Sequence, residues 1–142
     1  MQQPEQFICI SYSQIDFLIP NEYVVSAVGI KDVQLSLMSN QNSSFFDFDD
    51  LAIGFHQYAR PSHVKTLIVL KYEENNISTV TTQECKVCTI NYNAFSLFSD
   101  FYADALKEFG FLACLFEDDR MKILLDAKQT IDFMNNSLLE VL

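Results

Sequence analysis

The stretch Phe109–Asp126, FGFLACLFEDDRMKILLD, constrains the fold more than any other part of this chain. Read as extended backbone, Phe109, Phe111, Ala113 and Leu115 fall on one face, and Gly110, Leu112, Cys114 and Phe116 on the other. Both faces are apolar, so the strand needs cover on both sides. Glu117, Asp118, Asp119 and Arg120 then bring four charges together, as a solvent-exposed hairpin turn would. Met121, Ile123 and Leu125 alternate with Lys122 and Leu124 in a returning strand. Asp126 ends it, where a short carboxylate can cap the next element. The hairpin reads as a core element, with Gly110 as a strand position where a neighbour approaches closely.

Shorter stretches repeat the pattern. Phe7 to Tyr12 and Ile15 to Ile19 alternate as two strands joined by Ser13-Gln14, and Pro20-Asn21 stops the second. Tyr23 to Ile30 fits a helical turn followed by a strand, and periodicity alone does not separate the two. Ser39 to Ser44 is a loop, Phe45 to Phe48 a short strand, and Asp49 to Phe55 a helical turn closing at Gly54. Thr66 to Tyr72 is the strongest single strand, and after a turn at Glu73 to Asn76 the chain returns over Ile77 to Ile90 as one or two strands. Ala94, Leu97, Phe98, Phe101, Ala105 and Phe109 recur at helical spacing, giving an amphipathic helix over 94–108. Core packing is favoured over a partner-binding role for that aromatic stripe. Ala127 to Leu142 suits a terminal helix, with Ile131, Met134, Leu138 and Val141 on one side.

Many short strands with turns between them give a mostly β chain of the barrel or sandwich class. At 142 residues it reads as a single domain, 1–142, in approximate halves 7–60 and 61–142 divided at the connection Gln57 to His63. The charge balance narrows the partners. With 19 acidic and 9 basic side chains the net charge is −10, which repels nucleic acid and anionic lipid and favours a basic patch on another protein. No positively charged leader precedes the first apolar run, and no run approaches the roughly 18 apolar residues of a membrane span. A cytoplasmic protein with reduced cysteines is expected.

Three groups of residues invite a chemical reading. Cys85-Lys86-Val87-Cys88 is a CxxC, but it lacks a second ligand pair, and residues three apart on a strand point to opposite faces. Structural thiols are expected, with no metal and no cofactor. Asp47, Asp49 and Asp50, or Glu117 to Asp119, lack the ligand series of a calcium loop and read as solvated turn carboxylates. His56 and His63 flank a loop without any nucleophile elbow, so no catalytic residue is assigned and no enzymatic activity is expected.

The order of these segments resembles the CheW-like domains of bacterial chemotaxis coupling proteins. The resemblance runs from Phe7 to Ile131. It rests on FICISYSQIDFLIPNEYVV with Pro20 and Val24, on Phe45-Phe46-Asp47-Phe48 with Gly54, on TLIVLKY, and on Gly110 with Ile123-Leu124-Leu125-Asp126. It implies two small barrel-like β subdomains packed together, with a short C-terminal helix. It also implies a non-enzymatic adaptor that couples the cytoplasmic tip of a chemoreceptor to the regulatory domain of a histidine kinase. Val24, Val25 and Val28 are the candidate contact surface. The chain departs from the family pattern in places. No Asn-Leu-Arg-Gly stands between Ile30 and Phe45, Asp119 occupies the hairpin-turn position that is often glycine, and Ile77 to Thr82 lacks the usual glycine and valine-aspartate. These departures support an alternative, a divergent CheW-like module serving another signalling complex. A small-molecule-binding or enzymatic barrel is disfavoured by the scarcity of glycine and of clustered histidine.

Overall fold

The structure, a computed structural model, describes residues 4–31, 45–52 and 64–141. Among these residues ten strands form two sheets. They are β1 (Glu5–Ser11), β2 (Ile15–Pro20), β3 (Val24–Lys31), β4 (Phe45–Asp47), β5 (Val64–Tyr72), β6 (Asn75–Thr81), β7 (Glu84–Ile90), β8 (Ser96–Leu97), β9 (Phe111–Glu117) and β10 (Arg120–Leu125). Three α-helices accompany them: α1 (Phe48–Ala52), α2 (Asp100–Glu108) and α3 (Ala127–Val141). The larger sheet has the order β7-β1-β2-β10-β9-β8 and the smaller the order β3-β5-β6-β4. The fold is mostly β, in two packed β units with a C-terminal helix.

The chain visits the larger sheet twice, before β3 and after β6. The two visits meet where β2 and β10 pair in parallel, with Ile123 opposite Phe17 and Leu124 opposite Leu18. The expected division at 57–63 lies outside the described residues, as do the loop at 39–44, Gly54, His56 and His63. Strands on either side of that division pair in the smaller sheet, β3 with β5 and β4 with β6.

Alternation along the central strands divides the apolar side chains between two clusters. Ile10, Phe17 and Ile19 turn to the smaller sheet and pack with Phe48, Ile68, Leu70, Phe111 and Ile131. Phe7, Cys9 and Leu18 turn the other way and join Ile90, Ala113 and Leu124. The larger sheet curls around this second cluster. Residues 91–95 lead from the edge strand β7 to the opposite edge β8, and their Tyr92 and Phe95 rings lie 5.6 and 5.8 Å from Phe7. The edge-to-face stacking closes the concave side.

The Phe109–Asp126 hairpin lies in the core, though its strand begins later than the alternation suggests. Gly110 is not a strand residue. Its φ of +86° ends α2, with its N–H donating to Lys107 O at 3.0 Å and the Phe109 N–H donating to Leu106 O at 3.1 Å. That left-handed position after a helix favours glycine. A β-bulge follows, because Leu125 pairs with Phe111 while Leu124 pairs with Ala113, which leaves Leu112 extra. The bulge sends Phe111 to the inter-sheet core and Ala113 to the other cluster, so the two do not share one face. At the hairpin tip Asp118 and Asp119 have φ of 56° and 59°, the double left-handed geometry of a type I′ turn. Asp126 caps α3 as expected, its Oδ1 accepting the Gln129 N–H at 3.1 Å. The expected helix over 94–108 is shorter: Tyr92–Ala94 is a 3-10 turn, Ser96–Leu97 joins the sheet, and only Asp100–Glu108 is α-helical.

Asp49 departs furthest from expectation. It was expected to be solvated, and it is fully buried. Its Oδ1 accepts the Tyr12 hydroxyl at 2.6 Å and the Thr81 hydroxyl at 2.7 Å. Its Oδ2 accepts the Thr82 N–H at 3.1 Å and the Thr82 hydroxyl at 2.6 Å. Burial pushes this carboxyl toward the neutral form, but the donors from Thr82, Tyr12 and Thr81 outweigh it and hold the pKa below the usual carboxylate value.

These contacts set how stability should respond to substitution. A Cβ on Gly110 would lie 2.1 Å from Thr130 Oγ1 and 2.7 Å from Thr130 N. Gly110→Val is expected to cost about 3 kcal/mol in urea melts from this overlap and the left-handed φ. Gly29→Ala, on exposed β3, is expected to stay within about 0.5 kcal/mol. Asp119→Gly should raise stability by about 0.5–1 kcal/mol by relieving the left-handed turn. For Asp49 the folded pKa lies below the unfolded value of about 3.9. Its contribution is therefore complete above that value and is lost as pH falls through the folded pKa. Asp49→Asn should be less stable than the wild type near neutrality and should flatten the acid limb of the urea midpoint against pH. An unchanged acid limb would show that Asp49 does not carry it.

Candidate protein-interaction surface

The three valines expected to form a contact surface do not share one environment. Val24 opens β3 opposite Leu70 and is half-buried against the inter-sheet core. The register then shifts between Val24 and Ser26, so Val25 is the extra residue of a bulge. Val25 and Val28 are 49% and 50% exposed. Val24 is thus a packing residue, and Val25 and Val28 project from the strand.

Their strand is an edge. β3 pairs with β5, and among the described residues no strand pairs with its other side. Edge strands present backbone donors and acceptors in a row, and native proteins usually guard them with charge, shortness or a bulge. The four edges differ in this respect. β4 and β8 are three and two residues long. β7 carries exposed Glu84 and Lys86. β3 runs for eight residues, and its first seven, Val24 to Ile30, contain no charge. Its guard is the bulge at Val25.

A second exposed group lies on β8 and α2. Phe98 and Phe109 from the stripe pack against the core as expected, and Leu106, which lies outside the stripe, joins them. Leu97 and Phe101 do not, being 84% and 86% exposed. Phe101 stacks edge-on to exposed Tyr102 with ring centroids 4.9 Å apart. Helix periodicity explains the split, because Leu106 and Phe109 share the inward side while Phe101 falls beside Asp104, Ala105 and Glu108.

The polar groups within the larger sheet are structural. Arg120 was expected in a solvated turn, yet it reaches Asp16, which is buried in β2. Its Nη2 lies 2.6 Å from Asp16 Oδ1, its Nε lies 3.2 Å from both carboxylate oxygens, and its Nη1 donates to Ser13 O at 3.0 Å. This forked contact fastens the β1–β2 turn to the start of β10. The signal was present in the sequence: Asp16 sits at an inward position between Ile15 and Phe17, and Arg120 is one of only two arginines. Asp49 had a weaker signal in the hydroxyls of Tyr12, Thr81 and Thr82, which no local spacing connects to it.

The CxxC cysteines diverge as strand geometry requires. Cys85 packs against the inter-sheet core and Cys88 against the concave cluster. Burial pushes the Cys85 thiol up to about 11. Among the described residues no group of three or more His, Cys, Asp and Glu side chains is arranged to hold a metal. No helix among them is long and apolar enough to cross a membrane.

No family model and no curated protein matches this sequence. The structure is similar to the crystal structure of the scaffolding protein TtCheW from Thermoanaerobacter tengcongensis. The TM-score is 0.57, over 88% of this chain and 90% of that one, at 13% sequence identity. At that identity the likeness is one of architecture, and over nearly its whole length this chain has a CheW-like fold.

Proposed function

We propose that this chain is a non-enzymatic chemotaxis adaptor, joining a chemoreceptor's cytoplasmic tip to the regulatory domain of a histidine kinase through protein contacts alone. The observation that carries the reading is the likeness of fold to a scaffolding protein, spanning 88% of this chain and 90% of that one. The contact surface in this proposal is the outer edge of β3, with Val25 and Val28 as its apolar side chains. A long uncharged edge offers a partner both backbone hydrogen bonds and apolar cover. The acidic net charge speeds encounter with a basic partner surface and contributes little to the bound state.

A second reading is a divergent CheW-like module serving another signalling complex. The absence of Asn-Leu-Arg-Gly between Ile30 and Phe45 favours it. In both readings the chain works as a binding protein, and they differ in the partner.

The test is binding kinetics against the kinase regulatory domain and a receptor-tip fragment at increasing salt. Exposed charges are screened beyond about 8 Å at physiological ionic strength, and an apolar contact is not. The wild type should bind with an on-rate that falls as salt rises and an off-rate that changes little. The double variant Val25→Asp/Val28→Asp should weaken binding at least about tenfold, which corresponds to about 1.4 kcal/mol. Its thermal melt should match the wild type, because both side chains are half-exposed. Val24→Asp is unsuitable because Val24 packs on the core. Full binding by the folded double variant would overturn the β3 surface. No binding by the wild type to either partner would favour the divergent module.

A further inference from the structure

We propose that the apolar cleft between β8, α2 and β9, together with the acidic outer side of α2, is a docking site for a basic linear segment of another protein. The segment seats one uncharged apolar side chain in the cleft and sets Lys or Arg side chains against α2. The inference does not depend on the adaptor reading, because this surface belongs to the larger sheet and the β3 edge to the smaller.

The cleft forms where two irregularities meet. β8 is only two residues long, and among the described residues no strand pairs with its outer side. The bulge in β9 leaves Leu112 extra and exposed next to Ala113, the partner of Leu97. Leu97 and Leu112 line the cleft from the sheet, Ala103 and Lys107 line it from α2, and buried Phe111 also contributes. Its volume is about 140 Å³, well below the roughly 300–1,000 Å³ of small-molecule pockets. Such a space suits one anchoring side chain and not a cofactor. Asp100 and Lys107 both line it with opposite charges, so the cleft itself favours an uncharged anchor.

The outer side of α2 fixes the charge of the rest of the segment. Asp100, Asp104 and Glu108 recur every fourth residue, and all three are exposed. Among the described residues none of them forms an ion pair. Asp100 suits the first turn, where the helix dipole favours negative charge. Asp104 gains nothing from the dipole, and Glu108 in the last turn runs against it. Phe101 stands three residues before Asp104 and seven before Glu108, so the exposed ring and both carboxylates share one side of the helix. A cation seated there gains from the ring face and from the carboxylates together. An occupant without cations would leave these carboxylates desolvated and unpaired. A second copy of this chain, with its net charge of −10, brings like charge to the same place.

The two parts of the site also set the spacing within the segment. Asp100 belongs to both, so the cleft and the carboxylates lie on adjacent sides of α2. A helix with its side chains is about 10–12 Å wide. Extended chain advances about 3.3–3.6 Å per residue, so the anchor and the first cation should stand about three residues apart.

The full chain is immobilised and panned with a phage library of random linear dodecapeptides, and the enriched sequences are then measured as fluorescent peptides by anisotropy. The expected sequences carry Leu, Met or Phe with Lys or Arg about three residues away. Asp104→Lys/Glu108→Lys should weaken their binding at least about tenfold, and Leu97→Ser should weaken it as well. Both variants should melt as the wild type does, because the altered side chains are exposed. Glu73→Lys/Glu74→Lys makes the same change in net charge at the exposed β5–β6 turn, and should leave affinity within about twofold at physiological salt. Failure to enrich any peptide, enrichment of peptides without cations, or equal weakening by the two charge reversals would overturn the proposal. Undiminished binding by Leu97→Ser would remove the cleft from the site and overturn it too. So would a wild-type dimer in sedimentation that Leu97→Ser dissociates, which would make a second copy the occupant.

Discussion

A carboxylate held out of water fixes the two sheets in one arrangement. Asp49 stands on α1, directly after β4, an edge strand of the smaller sheet. Tyr12 comes from the corner between β1 and β2 of the larger sheet, and Thr81 and Thr82 from the passage between the two sheets. One side chain therefore gathers two segments that lie 32 to 37 residues from it in sequence. An ionised carboxylate is tolerated in such a place only when its oxygens are hydrogen-bonded. A slid or rotated sheet pair would leave that charge uncompensated. Apolar packing alone penalises such a shift less sharply, because many hydrophobic arrangements are nearly equivalent.

Much of the architecture was legible because it depends on local alternation. Ile8, Ile10, Phe17 and Ile19 are buried where period-two reasoning puts them, and the hairpin around Asp118 and Asp119 turns where the charges cluster. The departures share a cause. Gly110 looked like a strand residue because Phe109 and Phe111 continue the alternation, but its φ is set by the end of α2 and the approach of Thr130. The bulge at Leu112 changes which face each later residue takes, and apolar residues on both sides of it conceal the shift. Leu97 and Phe101 looked like core because they fit a helical period, yet Leu97 lies in β8 and the shorter helix turns Phe101 outward. For the candidate surface, composition marked Val24, Val25 and Val28 together, and only the bulge in β3 separates Val24 from the exposed pair. Asp49 and Arg120 were misread for a different reason. Each is polar in a polar local setting, and its burial comes from partners distant in sequence.

The concave face of the larger sheet shows how a small core accommodates charge. Phe7, Leu18 and Leu124 fill its middle, while Asp16, Lys122 and Arg120 lie toward the end where β10 begins. Arg120 pairs with Asp16 and Lys122 with Glu117, which allows the strands to alternate regularly up to the turn. The CxxC spacing builds no paired thiol site, because its two sulfurs face different clusters.

Two exposed apolar features compete as contact surfaces, and their surroundings rank them. On α2, Phe101 stands beside Asp104 and Glu108, so an apolar partner seated there would have to desolvate carboxylates as well. On β3 the apolar side chains come with an eight-residue edge whose first seven residues carry no charge. Backbone groups there can be satisfied by a partner strand without displacing any ion. A charge within that run would guard the edge against unwanted pairing at little cost to the fold. The run from Val24 to Ile30 lacks such a charge, whereas the exposed side of α2 carries Asp104 and Glu108.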